Sequence, residues 1–209
     1  MFAICLEASH TKGMGHLFRM LTFSRYLAKQ NEEFLFVVDN NKKTHDIITE
    51  KNIPHGVIDL NDYSSNWEDI IINKYNVKYW IDDRLNTDER HSLNVKNTNA
   101  KLVTFDDFGN GAKYSDINIC GLFDNKNEIE GKVVLKGVEY LVLNDEIDQY
   151  KSERRSNKNI LVTLGGSDTF GVTIKILKIL KKFNLSATIH VGPSVSYTHL
   201  RAHETRHDL

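Results

Sequence analysis

The fold is decided by the stretch FAICLEASHTKGMGHLFRMLTFSRYLAK, residues 2–29, in which a short apolar run leads through a glycine-containing loop into an amphipathic segment. The apolar run at residues 3–6 predicts a buried strand. The segment at residues 16–29 predicts a helix, because spacings of three and four positions put several side chains on one face. The residues of this predicted face are Leu17, Met20, Leu21, Ser24, Leu27 and Ala28. A strand, a loop and a helix in this order are typical of α/β proteins with a parallel sheet.

The same alternation of short apolar runs and longer amphipathic segments continues along the chain. Parallel strands joined by crossover helices produce this pattern. We therefore predict a complete Rossmann-like domain with a doubly wound parallel sheet over residues 1–147. Its further strands are expected at residues 34–38, 56–60, 78–81, 102–105 and 117–120.

A second unit begins after a polar and charged segment at residues 148–158, which has the composition of an exposed linker. Residues 159–193 then predict a strand at 160–164, a helix at 170–183 and a strand at 186–191. Gly165-Gly166-Ser167-Asp168 forms the turn between the first strand and the helix. Because one such unit cannot close a core, we expect it to be the start of a second Rossmann-like domain that is cut off.

The last residues, 194–209, are expected to be non-native. They contain His203, Glu204 and His207 in the H-E-x-x-H spacing of zinc proteases, and on a helix His199 would share their face. Back-translation of residues 195–205 offers another explanation, since it matches a common transposon-type sequencing adapter. Fused segments of this kind are left out of fold reasoning, and we expect no metal site here.

Composition and charge exclude several classes of function. Lys plus Arg number 27 and Asp plus Glu 28, so the sequence offers no stripe of one sign for nucleic acid. No apolar run reaches the ~18 residues of a membrane-spanning helix. The start lacks the features of a signal peptide. Cys5 and Cys120 each lie in a predicted strand, which favours reduced core residues and a cytoplasmic protein of unknown oligomeric state.

The loop before the first helix is a candidate active site. Gly13 and Gly15 allow the backbone to approach a ligand closely, and the helix start presents unpaired N–H groups that suit a sugar or a phosphate. His16 stands at this helix start, where its imidazole could take a proton from water. The alternative is that the glycines shape a tight turn and that His16 caps it.

Two pairs of acids, Asp82-Asp83 and Asp106-Asp107, follow predicted strands and are further site candidates. In open α/β sheets the carboxyl ends of the strands face the ligand crevice. The competing interpretation is that these side chains cap helices and form turns, especially before Gly109-Asn110-Gly111.

Several segments resemble, in the same order, those of one known family. Gly13-Met-Gly-His16-Leu-Phe-Arg19 is similar to the family's G-x-G-H-x-x-R segment, and Ile160-Leu-Val-Thr-Leu-Gly-Gly-Ser-Asp168 to its strand and G-G-[ST]-D turn. Residues 105–107, 115–118 and 137–146 lie between them and also match. The family comprises the UDP-sugar hydrolases of pseudaminic acid synthesis and the related spore-coat polysaccharide proteins, PseG and SpsG.

This resemblance implies a GT-B fold, in which two Rossmann-like domains face each other across a cleft. It implies that His16 activates a water that releases UDP from a UDP-linked sugar, without a metal or a cofactor. Substrate binding would fall to Gly13, Gly15, Arg19, Glu7 and Asp83. Nucleotide binding would fall to Gly165, Gly166, Ser167 and Asp168, whose turn and helix start could donate hydrogen bonds to the diphosphate.

Two departures from the family pattern leave the substrate open. Cys5 stands where the hydrolases carry an arginine two residues before the acid Glu7, and Asn144 stands where another arginine is common. A GT-B glycosyltransferase that uses a UDP-sugar donor therefore remains an alternative. A non-catalytic nucleotide-sugar-binding module is a third, in which His16 would be structural.

Overall fold

A computed structural model describes residues 1–8, 13–121, 129–151, 160–165, 168 and 170–192. Gly166, Ser167, residues 152–158 of the predicted linker and the predicted non-native tail lie outside the described residues. The chain divides into two compact units, one made of Met1–Ser9 and His16–Gln149, the other of His10–Gly15 and Tyr150–Leu209.

The first unit alternates strands and helices over most of its length. Short 3-10 helices at Ala112–Tyr114, Val138–Tyr140 and Asp145–Tyr150 complete it. The main elements are β1 (Phe2–Leu6), α1 (Gly15–Lys29), β2 (Phe34–Val38), α2 (Lys42–Glu50), β3 (His55–Val57), α3 (Trp67–Tyr75), β4 (Tyr79–Asp83), α4 (Glu89–Lys96), β5 (Lys101–Phe105), β6 (Ile117–Cys120) and β7 (Val134–Lys136).

Seven strands form one sheet in the order β3-β2-β1-β4-β5-β6-β7, and every neighbouring pair is parallel. This confirms the predicted α/β class and its doubly wound parallel sheet. The predicted strand at residues 56–60 is shorter in the structure, because the chain turns where Asp62 N–H donates to the Asp59 carbonyl at 3.0 Å. The strand at 78–81 extends to Asp83, so both acids of that pair belong to β4.

Successive side chains of each strand point to opposite faces of the sheet. On one face Ala3, Cys5, Leu35 and Val37 pack with Trp67, Trp80 and other residues of one buried cluster that involves α3 and α4. Both cysteines are free and buried, as predicted for core residues, and burial raises the pKa of the Cys120 thiol to about 11.

Helix α1 covers the other face of the sheet. Its ring contact between Phe23 and Phe105 of β5, with centroids 5.9 Å apart, places it there. Ala28, which the periodicity assigned to the buried face, is exposed in the last turn. The rest of the predicted face is buried, namely Leu17, Met20, Leu21, Ser24 and Leu27.

The second unit contains β8 (Ile160–Thr163), α5 (Val172–Lys182) and β9 (Ala187–His190), and its two strands pair in parallel. This matches the predicted strand, helix and strand. The helix begins later than predicted, because Gly171 adopts a left-handed φ of 60° just before it. Phe170, Phe183 and Leu185 are exposed. No helix among the described residues is long and apolar enough to cross a membrane.

Candidate active site

The candidate site lies at the carboxyl edge of the sheet, where β1 ends and α1 begins. β1 is flanked by β2 on one side and by β4 on the other, so the order of strands reverses at this point. Open α/β sheets bind ligands in the crevice that such a reversal creates. The carboxyl ends of β1, β4 and β5 therefore bring the candidate side chains together.

His16 and Asp83 form a hydrogen-bonded pair. His16 Nδ1 lies 2.6 Å from Asp83 Oδ1, with the Asp83 side chain fully buried and the His16 side chain 13% exposed. A carboxylate oxygen only accepts, so Nδ1 carries the proton. Nε2 is then the nitrogen through which the ring can take a proton from another molecule.

Arg19, one turn further along α1, holds two acids together. Its Nε donates to Asp83 Oδ2 at 2.9 Å, and its terminal nitrogens bond Asp83 and Asp106. Burial alone would lower the pKa of Arg19, but its bonds to the two carboxylates outweigh burial and raise it. Arg19 therefore holds Asp83, the partner of His16, and its role toward substrate charge stays a prediction.

The glycines before the helix leave space beside the backbone. Gly13 has a φ of +85°, which side chains rarely adopt, and Gly15 is the first residue of α1. A Cβ at either position would have no atom within 4 Å. The backbone conformation therefore requires glycine at position 13 but not at position 15. Both positions leave room for a ligand to approach the backbone.

Glu7 is held by an arginine that the sequence did not reveal as a site residue. Arg84 Nη2 donates to Glu7 Oε1 at 2.6 Å and Arg84 Nε at 3.2 Å, and both side chains are buried. Burial would lower the pKa of Arg84, but the acids Glu7 and Asp82 raise it. Arg84 follows β4 directly, and its place after Asp82-Asp83 is the sequence signal that could have indicated it.

Asp82 points to the opposite face of the sheet from Asp83 and lies in the interior. His91 Nε2 is 2.9 Å from Asp82 Oδ2, and His91 Nδ1 is 2.7 Å from Glu68 Oε1. Burial opposes the charge on His91, but the two carboxylates outweigh it and raise the pKa of His91 to about 9. Asp82 thus belongs to a buried ionic network.

This network also includes Cys5, whose sulfur lies within 4.8 Å of possible metal-ligand atoms on Asp82 and His91. Both ring nitrogens of His91 are already bonded to carboxylates. This arrangement favours a protonated imidazole over a metal ligand. Burial raises the pKa of the Cys5 thiol, and Asp82 adds to this rise.

Asp106 and Asp107 have different roles. Asp106 reaches Arg19, as described above. Asp107 Oδ1 accepts from the backbone N–H of Thr87 and of Gly109, each at 2.9 Å, and burial raises the pKa of this carboxyl. The turn-forming interpretation therefore applies to Asp107, while Asp106 joins the His16 cluster.

In the second unit, Asp168 caps α5. Its carboxylate accepts from Val172 N at 2.8 Å and from Thr173 N at 3.1 Å. These bonds offset the opposing effect of burial and lower the pKa of Asp168. Gly165 has a φ of +75°, a conformation that side chains rarely adopt. Gly165 thus shapes the turn, and Asp168 satisfies donors at the helix start.

Sequence comparison finds a relative that is longer than this chain. No protein-family profile matches the chain. The uncharacterized protein MJ1062 of Methanocaldococcus jannaschii is 30% identical over 219 aligned positions, which cover 93% of this chain and 43% of that protein. The chain thus spans less than half the length of this relative.

Three solved structures share the fold at low identity. MurG of Acinetobacter baumannii has a TM-score of 0.58 at 13% identity over 91% of this chain and 59% of its own. A glycosyltransferase of Rickettsia africae gives 0.57 at 15% over 92% and 69%. UDP-N-acetylglucosamine 2-epimerase of Rickettsia bellii gives 0.52 at 10% over 92% and 62%. The chain is therefore an α/β protein with the GT-B type of fold seen in MurG.

Proposed function

We propose that this chain belongs to an enzyme that processes a UDP-linked sugar and that hydrolyses it to release UDP. The fold likeness includes a protein named for UDP-N-acetylglucosamine and a glycosyltransferase, which supports nucleotide-sugar chemistry. The resemblance to the pseudaminic-acid and spore-coat families supports hydrolysis of an amino or deoxy sugar. Nonulosonic-acid or surface-polysaccharide synthesis is the corresponding proposed role.

The observation that carries the proposal is the pairing of His16 with the buried Asp83. A carboxylate that fixes one imidazole nitrogen leaves the other oriented as a base and stabilises the imidazolium that forms. Arg19 also holds this carboxylate, because its Nε donates to Asp83 Oδ2 at 2.9 Å.

The proposed step is attack of water on the anomeric carbon. The water oxygen forms the new bond to that carbon, and the water proton passes to Nε2 of His16. The bond between the anomeric carbon and the diphosphate oxygen breaks, and its electron pair leaves with UDP. Asp83 then faces the imidazolium at hydrogen-bonding distance, which lowers the energy of the charged state.

UDP binding is proposed for the turn of the second unit, through Gly165, Gly166, Ser167 and Asp168. Glycine turns can donate backbone N–H groups to phosphates. The proposal relies on the turn for these donors, because Asp168 already accepts from Val172 N and Thr173 N at the start of α5. On the side of His16, Gly13 and Gly15 would allow the sugar to approach, with Glu7 as a further contact. The scheme uses no metal or cofactor.

A GT-B glycosyltransferase is the second candidate, because a glycosyltransferase is among the structures with this fold. His16 would then deprotonate an acceptor hydroxyl in place of water. The two reactions differ in one measurable respect. Hydrolysis releases UDP from a UDP-sugar alone, while transfer releases it only when an acceptor is added.

The test measures UDP release by the natural protein that contains residues 1–193, with a panel of UDP-sugars. We expect His16→Ala to lower kcat by about 10²–10⁴-fold, the usual contribution of a general base, with UDP-sugar binding retained in calorimetry. Arg25→Gln, an exposed change on the same helix, is the matched control and should keep full activity. Unchanged turnover in the His16 variant would end the assignment of His16 as the base.

A further inference from the structure

Two histidines away from the candidate active site face each other nitrogen to nitrogen. His45 of α2 and His55 of β3 bring their Nε2 atoms to 3.0 Å, with ring centroids 4.6 Å apart and ring planes at 80°. Both side chains are partly buried. The pair lies where α2 meets the edge strand of the sheet.

The element that carries His45 is anchored at its start. The Asn41 side chain caps α2 by accepting from Thr44 N at 3.2 Å, and Thr44 Oγ1 donates to the Ala8 carbonyl at 2.8 Å. His45 is the next residue. The start of α2 is therefore held by its own cap and by one bond to Ala8, just after the end of β1.

The element that carries His55 is anchored by strand pairing. His55 lies opposite Phe36 in the parallel β2–β3 ladder, and Phe36 N donates to the Pro54 carbonyl at 2.8 Å. Ligands held by rigid helices and strands keep their geometry better than ligands held by loops. The two imidazoles thus meet with little freedom to separate.

The bond made by the other nitrogen of His55 determines where its proton lies. His55 Nδ1 is 2.9 Å from the Ile53 carbonyl, which only accepts, so Nδ1 carries the proton. In the neutral ring, Nε2 of His55 then presents a lone pair toward His45. Metal-binding histidines typically donate their second N–H to a backbone carbonyl or a carboxylate in this way.

We propose that His45 and His55 bind one divalent transition-metal cation of the zinc, nickel or copper type, at a site separate from the candidate active site. When neutral His45 carries its proton on Nδ1, both Nε2 atoms present lone pairs, and they lie 3.0 Å apart. Tetrahedral ligands at Zn–N distances of about 2.0–2.1 Å lie about 3.3 Å apart, so the pair needs to open by only a few tenths of an ångström. Imidazole nitrogen selects these metals over magnesium or calcium. Water would complete the coordination, and the metal would link α2 to β3.

The binding test must exclude the tail histidines, whose spacing could itself bind zinc. The background is therefore the full chain with His199, His203 and His207 replaced by Gln. Zinc chloride titrated into this protein in a calorimeter should bind at one site per chain. We expect His45→Gln and His55→Gln each to weaken this binding by at least about tenfold, a loss comparable to that for removing a supporting group around a metal.

His190→Gln is the matched control, since His190 is exposed on a strand and has no part in the pair. This variant should bind zinc as tightly as the background. Thermal melts of all variants without metal report whether the fold is kept. If His45→Gln and His55→Gln fold normally and bind zinc as the background does, the proposal is wrong.

A second measurement uses the background protein with His45 and His55 unchanged. In ¹⁵N-labelled background protein, zinc should shift the Nε2 resonances of both His45 and His55, while Nδ1 of His55 keeps its proton. Ring resonances that stay unchanged at saturating zinc would overturn the proposal. Zinc should also raise the melting temperature, because a ligand bound only by the folded state stabilises it.

Discussion

At the scale of single residues, the buried ion pair of Glu7 and Arg84 determines how the end of β1 is held. Both side chains are almost fully removed from solvent. A buried charge that loses its partner is left without compensation and strongly destabilises the folded state. Arg84 is therefore important for the fold as well as for the position of Glu7.

Replacement of Arg84 with Met should lower the free energy of unfolding by about 3–5 kcal/mol, because it removes the guanidinium that pairs with the buried Glu7 carboxylate. Urea unfolding followed by tryptophan fluorescence measures this change, since both tryptophans, Trp67 and Trp80, are buried in the first unit. The control is Lys42→Gln, which removes an exposed pair with Asp46 and should change stability little. An Arg84 variant as stable as that control would contradict the prediction.

The buried imidazole of His91 predicts a dependence of stability on pH. The pKa of His91 is raised to about 9 in the folded state, while its ordinary pKa in the unfolded chain is about 6.5. Between these two pH values the folded protein keeps a proton on His91 that the unfolded chain has lost. The stabilisation is complete below about pH 6.5 and disappears as the pH rises through about 9, with a slope of at most about 1.4 kcal/mol per pH unit.

Urea unfolding at a series of pH values between these limits measures that slope. Comparison with His91→Gln separates the contribution of His91 from those of other groups. The decrease in stability with rising pH should be steeper in the natural protein than in the variant. Equal slopes in the two proteins would show that His91 does not carry a proton of its own in the folded state.

The site residues that sequence analysis identified and those it missed differ in the local signal they carry and not in the distance to their partners, since Asp83 lies 67 positions from His16 and Asp106 lies 87 positions from Arg19. His16 and Arg19 belong to one short segment, and the acids they bind follow predicted strands, so local patterns sufficed to propose them. Arg84 pairs with an acid 77 positions away. His91 binds one acid on β4 and one on α3. Only the three-dimensional arrangement of the sheet brings these residues together.

At the scale of elements, β2 and β6 have the predicted bounds, and β2 is a wholly apolar run in which Leu35–Val38 are buried. β7 was missed because it has only three residues, none of them buried. The start of α5 was misplaced because the left-handed Gly171 precedes it. Burial alone did not decide the outcome, since β3 and β9 also have no buried residue and were predicted from their sequence pattern.

The turn after β5 allows a test of packing between elements. A Cβ at Gly109 would lie 2.4 Å from the backbone N and O of Thr87, and backbone cannot move aside cheaply. Gly109→Ala should therefore lower the free energy of unfolding by about 1–3 kcal/mol or more, as overpacking does. Urea unfolding measures this loss.

Gly56→Ala on β3 is the matched control for this turn. A Cβ there would have no atom within 4 Å, so the change should be neutral or stabilise by about 0.4–1 kcal/mol through the unfolded state. If both alanine variants had the same stability, the close approach of Gly109 to Thr87 would not exist in solution.

At the scale of the whole molecule, the first unit has the attributes of an independent domain. Its seven strands form one continuous sheet, and all the residues of its buried core cluster lie within this unit. Sequence periodicity was enough to predict this class of fold. The order of the strands follows from right-handed crossovers around a central first strand.

Residues 1–151 expressed alone should fold. Their urea transition, followed by tryptophan fluorescence, should have the same midpoint and slope as the transition of the whole chain, because the buried surface that the fluorophores report belongs to this unit. A lower midpoint in the shorter protein would mean that the second unit contributes to the stability of the first.

The two neighbouring acids at the end of β4 make this strand sensitive to insertions and deletions. The Asp82 side chain bonds His91 in the interior beneath α3 and α4. The next side chain, that of Asp83, points to the opposite face and bonds His16 and Arg19 of α1. A slip of a single residue would move one aspartate into the position of the other, so either the buried His91 imidazolium or the proposed base His16 would lose its carboxylate. The register of this strand therefore matters to the core and to the candidate site together.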